Sequence, residues 1–179
     1  MGKSNQIYIV VPTFNEAENI PQLAAEIFSL PLAEIHLLVV DDNSPDGTGE
    51  IAEGLSHDYQ GCIDVLHRVG KKGLGTAYID GFQKALGLGA DVIIQMDADF
   101  SHPPEKIIEL IESLKDSDVV LGSRYIPGGQ LDEQWPLWRK GLSAFGNLYA
   151  KNILRLPVND ATGGFRAWRK ETLIGMPLE

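Results

Sequence analysis

Two aspartates separated by a single residue follow a short apolar run and could together hold a divalent cation. Asp97 and Asp99 come directly after the run Val92 to Met96. Residues two apart in an extended segment point the same way, so both carboxylates can reach one ion. Oxygen ligation by few protein groups suits Mg²⁺ or Mn²⁺, with water and substrate phosphates completing the coordination shell. Ser101 adds an oxygen and His102 a nitrogen to this candidate metal site.

Asp41 and Asp42 follow a second apolar run, Ile35 to Val40, and add two more carboxylates at strand ends. Like charges gathered in one cleft raise each other's pKa and destabilise the fold unless a cation is present. We therefore expect the two aspartate pairs to share a cleft with a metal ion. The alternative is that an isolated Asp-x-Asp is a solvated turn, since Asp is favoured at turns whatever the function. His102 fits an ordinary loop histidine better than a ligand.

A basic, glycine-rich stretch opens a predicted helix and could bind phosphate. Lys71 and Lys72 precede Gly73-Leu74-Gly75, and a helix N-terminus offers free backbone N–H donors to an anion. In a P-loop the lysine follows the glycines instead, so ATP hydrolysis is not indicated. Lys72 is thus a candidate phosphate-binding residue, and a basic surface turn explains the stretch equally well.

Two arginines and a serine have the chemistry of a second phosphate site. Arg124 follows the run Val119 to Leu121, and Arg139 and Ser143 lie four residues apart on a predicted helix, hence on one face. Planar guanidinium groups beside a hydroxyl match the geometry of a phosphate. The alternative for Arg139 is a surface ion pair with Glu133.

The elements that must position these residues alternate between two patterns. Five short runs rich in β-branched residues predict strands: Ile7 to Val11, Ile35 to Val40, Ile63 to Leu66, Val92 to Met96 and Val119 to Leu121. Helical periodicity separates several of them: Ile20 to Phe28, Ala77 to Leu86 and Ile107 to Leu114. Continuous apolar runs indicate strands buried on both faces. We predict an α/β fold with a single-domain, doubly wound, mostly parallel sheet and helices on both faces, whose ligands bind outside the carboxyl ends of the strands.

The composition limits the classes of function. A chain of 179 residues with 44% hydrophobic content has enough apolar material for one core. The net charge of −10 disfavours nucleic acid as a partner, so anion binding requires a local cluster of Lys and Arg. The apolar runs are much shorter than the roughly 20 residues of a membrane-spanning helix, and the start lacks the pattern of a secretory signal. We therefore expect one cytoplasmic domain over residues 1–179, truncated at its C-terminus because Gly163 to Lys170 has the pattern of a new element close to the end of the sequence.

Five motifs in this order resemble those of the family-two inverting glycosyltransferases of the type A fold, which is Rossmann-like, and most closely those of the dolichol-phosphate (polyprenol-phosphate) mannosyltransferases. The resemblance runs from Ile7 to about Arg169. The motifs are Val11-Pro12-Thr13-Phe14-Asn15-Glu16, Val40-Asp41-Asp42-Asn43-Ser44-Pro45-Asp46-Gly47-Thr48, Lys72-Gly73-Leu74-Gly75, Asp97-Ala98-Asp99-Phe100-Ser101-His102-Pro103-Pro104 and Gly122-Ser123-Arg124-Tyr125.

The resemblance implies a role for each matching residue. Those that would hold the donor nucleoside are Pro12, Phe14, Glu16, Val40 and Asp42. Asp97, Ala98 and Asp99 would lie at the ribose, the diphosphate and the metal, with Lys72 and Arg124 also on the donor side. Arg124, Arg139 and Ser143 match positions that grip the acceptor phosphate. Asp97, Asp99 and Ser101 are thus the expected metal ligands, and Asp99, Arg124 and Arg139 the expected catalytic residues.

The implied reaction transfers mannose from GDP-mannose to a polyprenyl (dolichyl) phosphate, with inversion and with Mg²⁺ or Mn²⁺. The expected location is the cytoplasmic face of a membrane, held peripherally or through a membrane-anchoring partner protein. One alternative keeps the family and changes the sugar, as in a polyprenyl-phosphate glucosyltransferase. A non-enzymatic alternative is a receiver-like signalling domain with an acidic pocket, but that class needs a single strand-end aspartate and a lone late lysine.

Overall fold

A computed structural model of the protein describes residues 5–123, 160 and 163–178. Six strands form one sheet in the order β3-β2-β1-β4-β6-β5. The strands are β1 Ile7–Thr13, β2 Ile35–Asp41, β3 Ile63–His67, β4 Val92–Gln95, β5 Val119–Leu121 and β6 Arg166–Arg169. The helices are α1 Asn19–Phe28, α2 Thr48–Asp58, α3 Leu74–Gly87, α4 Lys106–Ser113 and α5 Lys170–Ile174. None of the helices in these ranges is long and apolar enough to cross a membrane.

The sheet is mostly parallel, as predicted. The strands β3, β2, β1 and β4 are parallel neighbours, and β6 pairs antiparallel with both β4 and β5. The strand order reverses beside β1, whose neighbours β2 and β4 continue the chain in opposite directions across the sheet. A crevice forms at such a point outside the carboxyl ends of the strands. Thr13 is in register with Asp41 there, so the loops after β1 and β2 start side by side.

Both faces of the sheet are covered, because successive side chains of a buried strand point to opposite sides. Ile9 and Val11 of β1 pack with α1, α2 and α4, whereas Val10 packs with α3 and α5. Gly81 lets α3 approach the sheet closely, since a Cβ there would lie 2.5 Å from Val10 Cγ1. This contact brings the start of α3 to the carboxyl end of the sheet.

Two elements depart from the simple pattern that the sequence predicts. Helix α2 buries only Thr48, Gly49 and Ala52, too few apolar residues to produce a clear helical period. Strand β6 lies between β4 and β5, although the sequence indicated only a new element near its position. Its Arg169 is held by backbone carbonyls, Nε donating to Ser117 O (2.9 Å) and Nη2 to Lys115 O (2.7 Å). Such contacts depend on the folded chain and leave no local trace in the sequence.

Candidate functional site

Asp41, at the end of β2, is a structural residue that joins the loops after β1 and β2. The residue is 3% exposed. It accepts hydrogen bonds from Thr13 Oγ1 (3.2 Å), Ser44 N (3.0 Å) and Ser44 Oγ (2.5 Å). Arg68 forms an ion pair with Asp42 at Oδ1 and offsets the charge of this second carboxylate. The expectation that a cation must offset the charge of all four strand-end aspartates is therefore wrong for Asp41 and Asp42, whose charges are offset within the protein.

The loop after β1 is fastened to the loop after β2 by further hydrogen bonds. Three backbone N–H groups donate to side chains across the gap: Asn15 to Ser44 Oγ (3.1 Å), Glu16 to Thr48 Oγ1 (2.9 Å) and Ala17 to Asp46 Oδ2 (3.1 Å). Asp46 also accepts from the Thr48 hydroxyl, and this bond is the main reason that the pKa of Asp46 lies below its usual value. The two loops thus form one rigid wall beside the crevice.

This wall carries part of the set expected to hold a nucleoside. Phe14 is 38% exposed, and the Lys71 ammonium lies 4.2 Å from its ring centroid, a cation–π distance. Pro12 and Glu16 are half-buried beside it. An exposed aromatic ring between a fixed loop and a lysine offers a flat face to a planar base.

Val40 and Ala98 belong to the same expected set, but their side chains lie in the core. Val40 is 0% and Ala98 3% exposed. A side chain so buried has no surface for a ligand, so any contact with a nucleotide would come from the backbone at these two positions.

Asp97 is held from two sides at the carboxyl end of β4. The Tyr78 hydroxyl, on α3, donates to Asp97 Oδ1 at 2.8 Å. His102 Nε2 lies 3.4 Å from Asp97 Oδ2, a distance that is electrostatic contact rather than a well-formed hydrogen bond, and its ring stacks on Phe165. Gly164 presses against the same carboxylate, since a Cβ there would lie 3.0 Å from Oδ2. The orientation of Asp97 is therefore set by α3, by the loop after β4 and by the approach to β6.

These contacts keep Asp97 ionised. The interaction with His102, together with the hydrogen bond from Tyr78, outweighs burial and holds the pKa of Asp97 below its usual value. Burial, and next the charge of Asp97, raise the pKa of Tyr78 well above its usual value, so Tyr78 stays neutral and donates its proton to the hydrogen bond. The site therefore presents a fixed negative charge.

Asp99 faces outward at the tip of the same turn. It is exposed, and its Oδ1 accepts the Ser101 backbone N–H at 3.0 Å. Phe100 between them has a φ of 57°, a left-handed conformation that turns the chain sharply. The chain thus presents one half-buried and one exposed carboxylate, with Ser101 next to them.

These carboxylate oxygens suit a hard divalent cation whose coordination shell is completed by a substrate. No three His, Cys, Asp or Glu side chains within the described ranges form a group that could hold a metal by themselves. Mg²⁺ usually keeps several waters and binds through one or two carboxylates plus substrate phosphates. Asp97 and Asp99 supply those carboxylates, so the fit is to an oxygen-ligated ion that arrives with a phosphate ligand.

Of the four predicted phosphate-binding residues, one lies among the described residues. Lys72 is exposed in the loop before α3, next to Gly73, whose φ of 101° favours glycine. Arg124, Arg139 and Ser143 lie outside the described residues, and their roles at the acceptor phosphate stay predictions.

Sequence reasoning missed two residues that touch the predicted site. Tyr78 lies on the buried face of α3, where an aromatic residue is typical of packing. Arg68 follows β3 in a basic stretch and resembles a surface residue in the sequence, yet it is 8% exposed. The only local signal for Arg68 is a charged residue directly after a predicted strand, a position that it shares with Asp97.

Replacing Tyr78 by phenylalanine should weaken Mn²⁺ binding in the presence of GDP by about tenfold, the lower end of the usual cost of losing a group that orients a metal ligand. Phenylalanine keeps the ring contacts with Phe82 and removes only the hydroxyl that orients Asp97. Electron paramagnetic resonance of free Mn²⁺ measures the change. Tyr8→Phe is the matched control, because Tyr8 is equally buried in the same core cluster and lies at the opposite end of β1. Equal affinity in the two variants would contradict a role for Tyr78 at Asp97.

The sequence of this chain matches a known family and several known proteins. The model of the family described as glycosyl transferase family 2 matches residues 8–175. A protein of Mycolicibacterium smegmatis named polyprenol monophosphomannose synthase is 41% identical over 166 residues, which are 92% of this chain and 62% of the relative. An undecaprenyl-phosphate mannosyltransferase of Micrococcus luteus is 42% identical over 174 residues, which are 97% of this chain and 70% of the relative. The chain thus spans roughly two thirds of the length of these relatives.

Solved structures show the same architecture. A mannosyltransferase from Pyrobaculum calidifontis, in complex with GDP-Man and Mn²⁺, superposes with a TM-score of 0.63 at 18% identity, over 99% of this chain and 49% of that chain. At this identity the likeness shows the fold alone, and it confirms the predicted glycosyltransferase type A fold. Because the family model covers nearly all of the chain and includes every motif at the carboxyl ends of β1, β2 and β4, the chain belongs to glycosyl transferase family 2.

Proposed function

We propose that this protein transfers mannose from GDP-mannose to a polyprenyl phosphate, with inversion at the anomeric carbon. The observation that carries the proposal is the pair of Asp97 and Asp99 at the carboxyl end of β4, one held ionised and the other exposed. The names of the relatives at 41% and 42% identity support polyprenyl phosphate as the acceptor and mannose as the sugar.

The donor is expected to lie across the crevice from β2 to β4. Phe14 and Asp42 would hold the nucleoside, since one offers an exposed ring and the other a carboxylate for the polar edge of a base. Asp97 and Asp99, with Ser101 beside them, would hold Mg²⁺ or Mn²⁺. When bound, the cation would neutralise the charge that develops on the departing diphosphate. Lys72 would add a positive charge on the side of the loop before α3.

The acceptor needs positioning more than activation. A phosphate is already ionised near neutral pH, so a single in-line displacement needs no strong general base. Arg124, Arg139 and Ser143 are proposed to orient the attacking phosphate oxygen and to offset its repulsion by the donor diphosphate. Orientation and charge compensation would therefore supply most of the acceleration by the protein.

Mn²⁺ or Mg²⁺ should increase the affinity for GDP by at least about tenfold, because Asp97 and Asp99 otherwise repel the diphosphate. Isothermal titration calorimetry with GDP, in metal and in EDTA, measures the difference. Titrations with UDP and ADP and their sugars test the base, and GDP-glucose against GDP-mannose tests the sugar. Equal affinity for GDP in metal and in EDTA would contradict the metal site. Preference for UDP-glucose would favour a polyprenyl-phosphate glucosyltransferase instead.

A polyprenyl acceptor resides in a membrane, and we infer that the protein works at the cytoplasmic surface of one, directly or through an anchoring partner protein. The loop between β3 and α3 supports direct contact. Val69 is 94% and Leu74 57% exposed, and Lys71 and Lys72 lie between them in an otherwise acidic protein. Exposed apolar side chains next to lysines suit an anionic lipid surface, where each lysine contributes about 1 kcal/mol.

Val69→Asp should lower binding to phosphatidylglycerol-containing vesicles by about tenfold, since it removes apolar contact and adds repulsion. Sedimentation with vesicles of phosphatidylcholine, with and without phosphatidylglycerol, gives the bound fraction. Ile174→Asp is the matched control, because Ile174 is 64% exposed and lies on α5. Equal losses in both variants would contradict a particular role for the loop between β3 and α3. No binding by the unaltered protein would point to an anchoring partner instead.

A further inference from the structure

We propose that Arg68 is a positioning residue that sets the preference of the donor site for guanine, by fixing the carboxylate of Asp42 and joining it to the loop before α3. The inference rests on the proposed function, in which Asp42 holds the nucleoside. Arg68 belongs to none of the five family motifs and lies between the second and the third of them. The argument depends on its burial and on its three side-chain partners.

Arg68 is a buried charge with every guanidinium nitrogen engaged. Its side chain is 5% exposed. Its hydrogen bonds run from Nη1 to Asp42 Oδ1, from Nε to Asp80 Oδ2 (2.7 Å) and from Nη2 to Thr76 Oγ1 (2.7 Å). Its backbone N–H donates to Asp41 O at 2.8 Å, which anchors Arg68 to the end of β2. A guanidinium held at all three nitrogens has no freedom to rotate, so the groups that it binds are fixed as well.

Asp42 is the partner that the proposed function assigns to the nucleoside. Its side chain is 8% exposed, and Arg68 binds only Oδ1. Within the described residues Oδ2 accepts no hydrogen bond from the protein. A single fixed carboxylate oxygen is suited to the adjacent ring N–H and amino donors of guanine, whereas the corresponding edge of adenine has no ring N–H to donate. A carboxylate that rotated freely would lose most of this discrimination, because it could also turn away from the base.

The same guanidinium reaches the loop that carries the lysines. The Thr76 hydroxyl accepts from Arg68 and donates to Gly73 O at 2.8 Å, so it closes the first turn of α3. Lys71 in this loop lies over the ring of Phe14 on the opposite wall. Arg68 thus joins the end of β2, the end of β3 and the start of α3 around the place where a base would lie.

The chemistry of this position requires arginine. Arg68 donates in three directions to acceptors on different elements, and a planar guanidinium holds five N–H donors in a fixed fork. A lysine retains the positive charge beside Asp42 but presents a single ammonium group. Arg68→Lys therefore keeps the buried charge balanced while it releases the orientation of Asp42, which separates the positioning role from simple neutralisation.

The test is calorimetry of GDP and ADP binding, with Mn²⁺ present, to the unaltered protein and to four variants. Asp42→Asn and Arg68→Lys test the two residues, and the double variant tests whether they act together. Asp80→Asn is the matched control, because it removes another ion pair of the same guanidinium and leaves Asp42 untouched. We expect Arg68→Lys to weaken GDP binding by about tenfold and ADP binding by less than about twofold, because the fixed guanidinium fork that orients Asp42 is lost. Asp80→Asn should change neither by more than about twofold, and the double variant should be no worse than Asp42→Asn.

Different outcomes separate this inference from the proposed function. If Asp42→Asn loses preference for GDP while Arg68→Lys keeps it, or if Arg68→Lys weakens GDP and ADP equally, the positioning role is wrong and the donor assignment stands. If Asp42→Asn leaves GDP affinity unchanged, the donor assignment and the inference both fail. A measurement on the unaltered protein covers the case in which Arg68→Lys does not fold. GDP should slow hydrogen exchange at residues 73–77 more than saturating ADP does, and equal protection would overturn the inference.

Discussion

Replacing Asp99 by asparagine should abolish sugar transfer and leave the fold intact. Asparagine has the size of aspartate and lacks the charge that would hold the cation on the exposed tip of the turn after β4. A metal that stabilises a leaving group contributes several kcal/mol to the transition state. A loss of about 4 kcal/mol corresponds to about a thousandfold reduction in turnover. Initial rates with GDP-mannose and polyprenyl phosphate measure the effect.

Stability provides the internal control for this variant. Asp99 is exposed and its one described hydrogen bond accepts from Ser101 N, a role that the asparagine carbonyl can keep. The midpoint of thermal unfolding should therefore stay the same or rise slightly as repulsion from Asp97 is relieved. Asp58→Asn, at the end of α2, removes an exposed aspartate far from β4 and should retain full activity. Near-normal turnover by the Asp99 variant would exclude this carboxylate from the metal site.

Replacing Arg139 by alanine should weaken the use of polyprenyl phosphate by roughly tenfold to a hundredfold while donor affinity stays nearly constant. A dianionic nucleophile that approaches an anionic diphosphate needs compensating charge, and a hydrogen bond to a charged group contributes about 1.5–3 kcal/mol. Steady-state kinetics in both substrates separate the two affinities. Because Arg139 lies outside the described residues, this experiment tests a role predicted from the sequence.

Two further variants define what Arg139 does. Arg139→Lys should recover only part of the loss, since a point charge cannot make a bidentate contact with phosphate. Lys140→Ala removes the neighbouring positive charge and should have little effect on acceptor use. Loss of donor affinity in Arg139→Ala would assign the residue to the diphosphate site. No change in either affinity would support the surface pair with Glu133.

Much of the fold could be predicted because its signals are local. The runs at β1, β2 and β4 are continuous apolar segments that are recognisable without knowledge of their neighbours, and each is buried in the sheet. The same is true of Asp97 and Asp99, since they directly follow one of those strands. Helix α2 and strand β6 could not be predicted in this way. The first buries mostly small residues, and the second is stabilised by pairing with β4 and β5, which the chain reaches only after folding.

The roles of the strand-end aspartates were decided by tertiary structure. The residue pattern alone does not distinguish the neighbours Asp41 and Asp42, yet Thr13 and Ser44 bind the first and Arg68 the second. Successive residues at a strand end point to opposite sides, so neighbours in sequence meet different elements. The sequence alone therefore determined the parallel strands β1, β2 and β4, the crevice at their carboxyl ends and the aspartates that follow β2 and β4. Which carboxylates remain for a ligand was decided only by folding, because Arg68 and Tyr78 reach Asp42 and Asp97 from elements distant in sequence, and a buried charge is stable only where such a partner lies.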